Sequence, residues 1–451
     1  MEKVFKLKEH GTDVKTEIVA GATTFLSMVY ILAVNPSILA AAGMDPGAVF
    51  TATAVSAVIA TLCMAFFANY PVALASGMGL NAYFAFSVCI PLAEQGVQDP
   101  WKIALAAVLV EGIVFVLLSL CNFREKLVND VPANLKLGIT AGIGLFITII
   151  GLKNAGIVIG NDATLVGMGA VGAPQFLLAM IGVIIVAALY HHKVPGYILI
   201  GILVTWVLGM IAQATGWYVV DPEVGAFSLF PDFAHGLTPS KPETFAFDFT
   251  WISQNILDFI IIVFSFLFVD LFDTVGTLIG VASKGNLLDE DGNLPNAKGA
   301  LMADAVGTIV GACLGTSTVT SYVESASGVA NGGRTGLTSV STAVLFIIAL
   351  FLSPIFLAIP SFATAPALIW VGLLMITSIK DIDFEADTAD VVGAFFAIVM
   401  MPFTYSIANG IMFAIVIWVI LKIIEGKAKE VPAVMWISFG LFILRMITLV
   451  L

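Results

Sequence analysis

Apolar residues run along this chain in blocks of about twenty, separated by short polar stretches, and few blocks show the one-sided periodicity of a soluble helix. Blocks of that length match the hydrocarbon thickness of a bilayer. They lie at 17–40, 47–68, 101–121, 133–152, 174–191, 196–215, 251–282, 298–314, 336–357, 363–378, 389–406 and 408–425. Two further stretches, 71–90 (PVALASGMGLNAYFAFSVCI) and 316–331 (TSTVTSYVESASGVAN), are rich in small and hydroxylated residues. Neither reads as a lipid-facing helix, yet counting both as crossings gives fourteen segments. We number these one to fourteen in chain order.

Charge placement supports the count. With the N-terminus cytoplasmic, fourteen crossings put 15 of the 19 lysines and arginines inside, among them Lys3, Lys15, Arg124, Lys126, Lys193, Lys284, Arg334 and Lys427; only Lys102, Lys153 and Lys241 fall outside. That is the positive-inside bias. Arg445 is left over, in the apolar stretch 432–451, which reads as a membrane-associated terminal helix or a fifteenth span. The polar stretches are segments three and ten, each third in a set of seven. An odd number per half inverts one half relative to the other, and interrupted segments in matching places point to a transporter site at the repeat interface. The expected organisation is a cytoplasmic N-terminus (1–16), a first repeat (17–215), an external linker (216–250), a second repeat (251–425) and the C-terminal helix (426–451). The fold class is an all-α polytopic membrane protein.

Composition agrees: 59 % of the 451 residues are hydrophobic and 11 % charged, against about 25 % charged in soluble domains. The net charge of −12 sits largely in loops such as 289–293 and 380–387 and implies no nucleic-acid partner. Cys63, Cys89, Cys121 and Cys313 lack metal-site spacing and read as packing residues. There is no secretory signal peptide and no phosphate-binding loop, so ATP-driven pumping is not indicated.

Chemistry concentrates in a few intramembrane polar groups. Asp270 and Asp273, in FLFVDLFDTVGTLIGVAS, lie three residues apart, on one helix face about 60° from eclipsed. Paired acids at that depth mark an ion or substrate pathway, and their proximity favours one of them holding a proton. Glu324 stands in the interrupted tenth segment behind five hydroxyl residues. Asn81 is its polar counterpart in the third, and an amide suits a planar heterocycle. Glu111 and Asp304 read as structural or gating hydrogen-bond partners, and Asn35–Pro36 as a helix bend beside Tyr30 and Thr24. His10, His191, His192 and His235 all fall at segment ends or in loops, so any proton coupling rests on carboxylates.

The stretches VDLFDTVGTLIGVA (269–282), GTSTVTSYVESASGVANGGRTGLTSV (315–340), ASGMGLNAYFAF (75–86) and YILAVNPSIL (30–39) together resemble the adenine–guanine–hypoxanthine permeases. These form the AzgA-like branch of the nucleobase–ascorbate transporter (nucleobase:cation symporter) superfamily. The resemblance runs from about residue 10 to 425. It implies a seven-plus-seven inverted repeat divided into core and gate domains, with short strands in segments three and ten and substrate held between those segments and segments one and eight. It further implies proton symport without a cofactor, a purine substrate, a homodimer and a place in the cytoplasmic membrane. Asp273 matches the family's substrate-contacting carboxylate of segment eight and Glu324 that of segment ten. Thr277 stands where uracil-selective relatives carry histidine, and Asp270 and Asn81 look like positions of the purine branch. On this reading Asp273, Glu324 and Asn81 bind substrate, while Asp270, Thr277 and Ser325 serve proton coupling or support the site. Rival readings are another nucleobase such as xanthine or uracil, an anion exchanger on the same fold, a channel, or an intramembrane aspartyl protease. An acidic site disfavours the anion, and two acids on one helix disfavour the protease.

Overall fold

The computed structural model describes residues 2–120, 131–161, 163–220, 228–233, 237–288 and 294–450. Cys121, Arg124, Lys126, His235 and the acidic loop 289–293 lie outside those residues, as does the side chain of Arg445. The chain is mainly helical. Among the described residues nine helices are long and apolar enough to cross a membrane, and shorter apolar helices pack among them.

Packing follows the inverted repeat. Segment two (Pro46–Phe67) packs on segment eleven (Gly336–Leu350), just as nine (Ala297–Leu314) packs on four (Pro100–Leu120). Segment one packs on eleven as eight (Ile256–Gly285) packs on four, and two meets nine. These segments, with three and ten, make the core. Segment five (Ala133–Asn154) packs closely on twelve (Ser361–Ile376) and on thirteen (Thr388–Phe403), and twelve packs likewise on six (Pro174–His191). With seven and fourteen they make the gate.

The interrupted segments meet at the centre of the core. In chain order the strands are β1 (Leu74–Ser76), β2 (Val158–Asn161), β3 (Leu165–Met168) and β4 (Val319–Ser321). β1 and β4 pair antiparallel, Leu74 opposite Ser321 and Ser76 opposite Val319. Short β-branched and small residues fit such a ladder, and Gly315, in the left-handed region at φ +88°, ends helix nine just before it. A two-stranded sheet at membrane depth leaves outer edges to be satisfied. Thr61 of segment two accepts from the Leu74 N–H (3.0 Å) and donates to the Leu74 carbonyl (3.1 Å). Thr308 of segment nine donates to the Val319 carbonyl (3.0 Å). Two and nine are repeat counterparts, so one device is used twice.

Some boundaries differ from those the apolar pattern suggests. Segment one divides at Val29–Tyr30 into Val14–Met28 and Ile31–Ala40, a turn or more before Asn35–Pro36, with i→i+3 bonds from Leu32 and Ala33 to Val29 and Tyr30. Residues 251–253 form a separate turn before helix eight starts at Ile256. Stretch 336–357 stops at Leu350 and restarts at Ser353, where Pro354 fits only the first turn of a new helix. The hairpin β2–β3 was not expected of an all-α chain. Asn161 turns it, its side-chain oxygen accepting from the N–H groups of Ala163 and Thr164. The helix Ala433–Val450 lies against segments eight and fourteen, with Phe442 buried 5.8 Å from the Phe264 ring.

Candidate functional site

A cavity of about 80 Å³ opens where the β1–β4 sheet meets the gate. The core supplies its polar wall. The break in segment one presents Tyr30, the turn after β1 presents Gly77 to Gly79, segment eight presents Asp273 and Thr277, and the end of β4 presents Thr320 to Glu324. The gate supplies only apolar side chains: Ile143 and Ile147 of segment five, Val371 and Met375 of segment twelve. Gly77 is required by close approach, because a β-carbon there would lie 2.6 Å from the Thr320 methyl.

Glu324 occupies the N-cap position of the short helix Ser325–Ala330 and is clamped by Tyr30, whose hydroxyl donates to Oε1 at 2.5 Å. Tyr322 donates to the Ser76 carbonyl at 2.5 Å, tying β4 to the start of the third-segment helix. The wall therefore offers two carboxylates and several hydroxyls. They can accept hydrogen bonds from the N–H edge of a flat polar molecule lying against a greasy floor.

The other expected residues surround this cavity without lining it. Asp270, about 60° round helix eight from Asp273, is fully buried and does not line the cavity, so the two acids occupy different environments. The Thr274 hydroxyl lies 3.1 Å from Asp270 Oδ1, 2.8 Å from Asp304 Oδ1 and 2.7 Å from Thr320 Oγ1. Asn81 is fully buried, accepting from the Ser317 hydroxyl and reaching the Ser76 carbonyl at 3.4 Å, so it braces the sheet from behind. Ser325 accepts from the Ala73 N–H (3.0 Å), and Glu111 accepts from the Thr318 hydroxyl (2.7 Å). Asn35 donates to Thr53 and Thr316. Thr24 is buried in the core.

Four residues escaped the sequence reading, three at the site and one beyond it. Tyr322 and Thr320 lay in the right stretch but were indistinguishable from its other hydroxyls. Thr274 had a signal, its spacing of four from Asp270 on one helix face. Glu17, at the edge of an apolar block, looks like a solvated end. It is instead fully buried, accepting from the N–H groups of Arg334 and Thr338 and from the hydroxyls of Thr335 and Thr338.

The sequence pattern of the permease family matches residues 15–413. The chain belongs to that family. This permease is a multi-pass membrane transporter and not an enzyme, which removes the protease reading. It is 43 % identical over 463 residues to a guanine/hypoxanthine permease of Bacillus subtilis, covering 100 % of both chains. It is 41 % identical over 455 residues to an adenine permease of Escherichia coli, covering 99 % of this chain and 96 % of that one. Among solved structures, the transmembrane domain of a cyanobacterial bicarbonate transporter superposes with a TM-score of 0.65 at 16 % identity, covering 88 % of this permease and 97 % of that domain. That last likeness concerns the fold alone.

Proposed function

We propose that the permease carries purine nucleobases across the cytoplasmic membrane in symport with protons, the core moving against the gate in an elevator-type alternating-access cycle. The observation that carries the reading is the division of the cavity: every hydrogen-bonding group comes from the core and every gate contact is apolar. A base held by Asp273 and Glu324 can then travel with the core while sliding over Ile143, Ile147, Val371 and Met375 with no polar bond to break. The relatives whose names specify adenine or guanine and hypoxanthine support a purine. Thr277, with no histidine at its place, contributes a hydroxyl to the wall.

The proton belongs to the network behind the wall. Thr274 has one hydroxyl proton and faces oxygens of both Asp270 and Asp304. It can donate to one of them, and the other contact becomes favourable when that aspartate carries a proton. Thr274 also touches Thr320, which lines the cavity, so proton occupancy and base occupancy share a hydrogen-bonded chain. Asp270, Thr274 and Asp304 are our proton-handling group, and Asn81 and Ser325 hold the sheet in place. The repeat boundaries 17–215 and 251–425, fourteen crossings, a cytoplasmic N-terminus and a homodimer complete the proposal; cysteine accessibility and cross-linking in membranes test them.

The deciding experiment is initial-rate uptake of labelled hypoxanthine and adenine, with unlabelled adenine, guanine, hypoxanthine, xanthine and uracil as competitors. Purines should compete and uracil should not. Asp273→Asn and Glu324→Gln should abolish uptake in correctly inserted protein. Uptake indifferent to external pH and to a protonophore would remove the proton, and wild-type rates in both variants would remove the site.

A further inference from the structure

A second cavity, of about 100 Å³, lies one to two helical turns beyond Gly79 along segment three and beside the start of segment eight, toward the face opposite the N-terminus. It is lined by Tyr83 and Ser87 of segment three, Trp251 and Asp258 at the start of segment eight, Asn409 of segment fourteen, and Phe442 of the C-terminal helix. Three aromatic rings flank a hydroxyl, a carboxylate and an amide, the mixed donors and acceptors on flat walls that suit an uncharged heterocycle.

Three observations single this space out. Residues Tyr83–Cys89 form a π-helical turn, a costly conformation in a helix and one concentrated at functional positions. It is this turn that presents both Tyr83 and Ser87. The Ser87 oxygen is buried with no hydrogen-bond partner among the described residues, a debt a bound molecule would discharge. The cavity also has a repeat counterpart. On the opposite face a space of about 700 Å³ is bordered by Thr23 and Ser27 of segment one, Tyr197 at the start of segment seven, and Ser327 and Asn331 of segment ten. Adding seven to each segment, with ten wrapping to three, gives eight, fourteen and three, the segments that supply Asp258, Asn409 and Tyr83. The two spaces thus occupy equivalent places in the two repeats, the larger on the face of the N-terminus, the inner space, and the smaller on the face opposite, the outer space. Between the outer space and the central site Tyr83 packs edge-on against Phe266, ring centres 4.6 Å apart, as a partition.

We propose that the outer cavity is a second binding site for the transported purine, where the base waits before passing the Tyr83–Phe266 partition to Asp273 and Glu324. Phe442 of the C-terminal helix closes one side of it. The inference rests on the purine reading.

Equilibrium dialysis of the purified permease with tritiated hypoxanthine, and with tritiated adenine in parallel, tests it. Wild type should bind two molecules of its preferred base per chain. Glu324→Gln should bind one, and the pair Ser87→Ala with Asn409→Ala should bind one at the central-site affinity, within about twofold. Bound base should quench tryptophan fluorescence in Glu324→Gln, and Trp251→Phe should remove that quenching, which reports location independently of stoichiometry. A stoichiometry of one that Glu324→Gln abolishes would overturn the outer site and leave the purine reading intact. Binding of neither base by the wild type would overturn both.

Discussion

Tyr30→Phe isolates one atom of the central site. The Tyr30 ring is 1 % exposed and fully packed, and phenylalanine preserves that packing, so the variant loses only the hydroxyl that donates to Glu324 at 2.5 Å. Hydrogen bonds to charged groups contribute about 1.5–3 kcal/mol. Glu324 borders the cavity and is part-exposed, which places this bond toward the lower end of that range. A loss of about 1.5 kcal/mol is about tenfold in the fraction of Glu324 held in its binding orientation. The efficiency of uptake, Vmax/KM, should fall about tenfold, with the larger part in KM. Initial-rate uptake in cells stripped of their own purine permeases measures it, normalised to inserted protein. The apparent melting temperature of the purified variant verifies that the fold is intact. An efficiency within about twofold of wild type, at equal insertion, would refute the claim that Tyr30 orients Glu324.

Other positions separate stability from transport. In Gly372→Ala the new β-carbon would sit 2.5 Å from the Gly144 carbonyl oxygen, where segment twelve crosses five, and backbone cannot rotate away. The gate should lose about 1–3 kcal/mol, read as a lower melting temperature with KM unchanged; a wild-type melting temperature would contradict the packing. Glu17→Gln turns an amide toward donors that all require an acceptor, so a loss of about 2 kcal/mol is expected, again by thermal unfolding, and equal stability would show that Glu17 does not clamp the start of segment eleven. Outside the membrane, Lys422 (2.9 Å) and Lys427 (2.5 Å) hold the Asp387 carboxyl down to about 2 from its ordinary 3.8. A lowered value means the pairing stabilises above the ordinary value and is lost as pH falls through the lowered one. Wild type should therefore lose thermal stability more steeply than Asp387→Asn between about pH 4 and pH 2, and parallel curves would refute the assignment.

The architecture was legible because the bilayer leaves few solutions. Apolar blocks of fixed length, lysines and arginines on one side, and two polar stretches seven segments apart lead directly to an inverted repeat with an interrupted helix in each half. The broken helices had a signal in TSTVTSYVE, where hydroxyls crowd a place that lipid-facing residues should fill. What stayed hidden depends on rotation and on partners distant in sequence. A spacing of three on a helix leaves about 60° between Asp270 and Asp273, which is enough to send one into the cavity and the other behind it. Asn81 reads as a ligand because an amide in a glycine-rich stretch serves a heterocycle and a strand equally well; its bond from Ser317, 236 residues away, is invisible in the sequence. The β2–β3 hairpin was missed because short alternating segments outside the membrane carry little weight beside twenty-residue apolar blocks.

The fold likeness to a bicarbonate transporter shows how little of the site the architecture itself determines. This permease places two interrupted segments against each other at the centre of its core, and helices that begin there favour negative charge by their dipoles. In this permease that tendency is countered by side chains. Glu324 stands at the start of the tenth-segment helix, Asp273 faces the same space, and Asp270 and Asp304 lie behind it. An anion entering this cavity would meet carboxylates, whereas a neutral base with N–H donors meets acceptors. On the proposed reading the acids lining the cavity recognise the base and those behind it handle the proton, so substrate class and coupling ion rest on adjacent but separate residues. A Glu324→Gln, Asp273→Asn permease that still inserted should therefore lose purine affinity while keeping the pH dependence of whatever binding remained, because Asp270, Thr274 and Asp304 are intact. Loss of the pH dependence in this variant would move the proton from that network to the acids of the cavity wall.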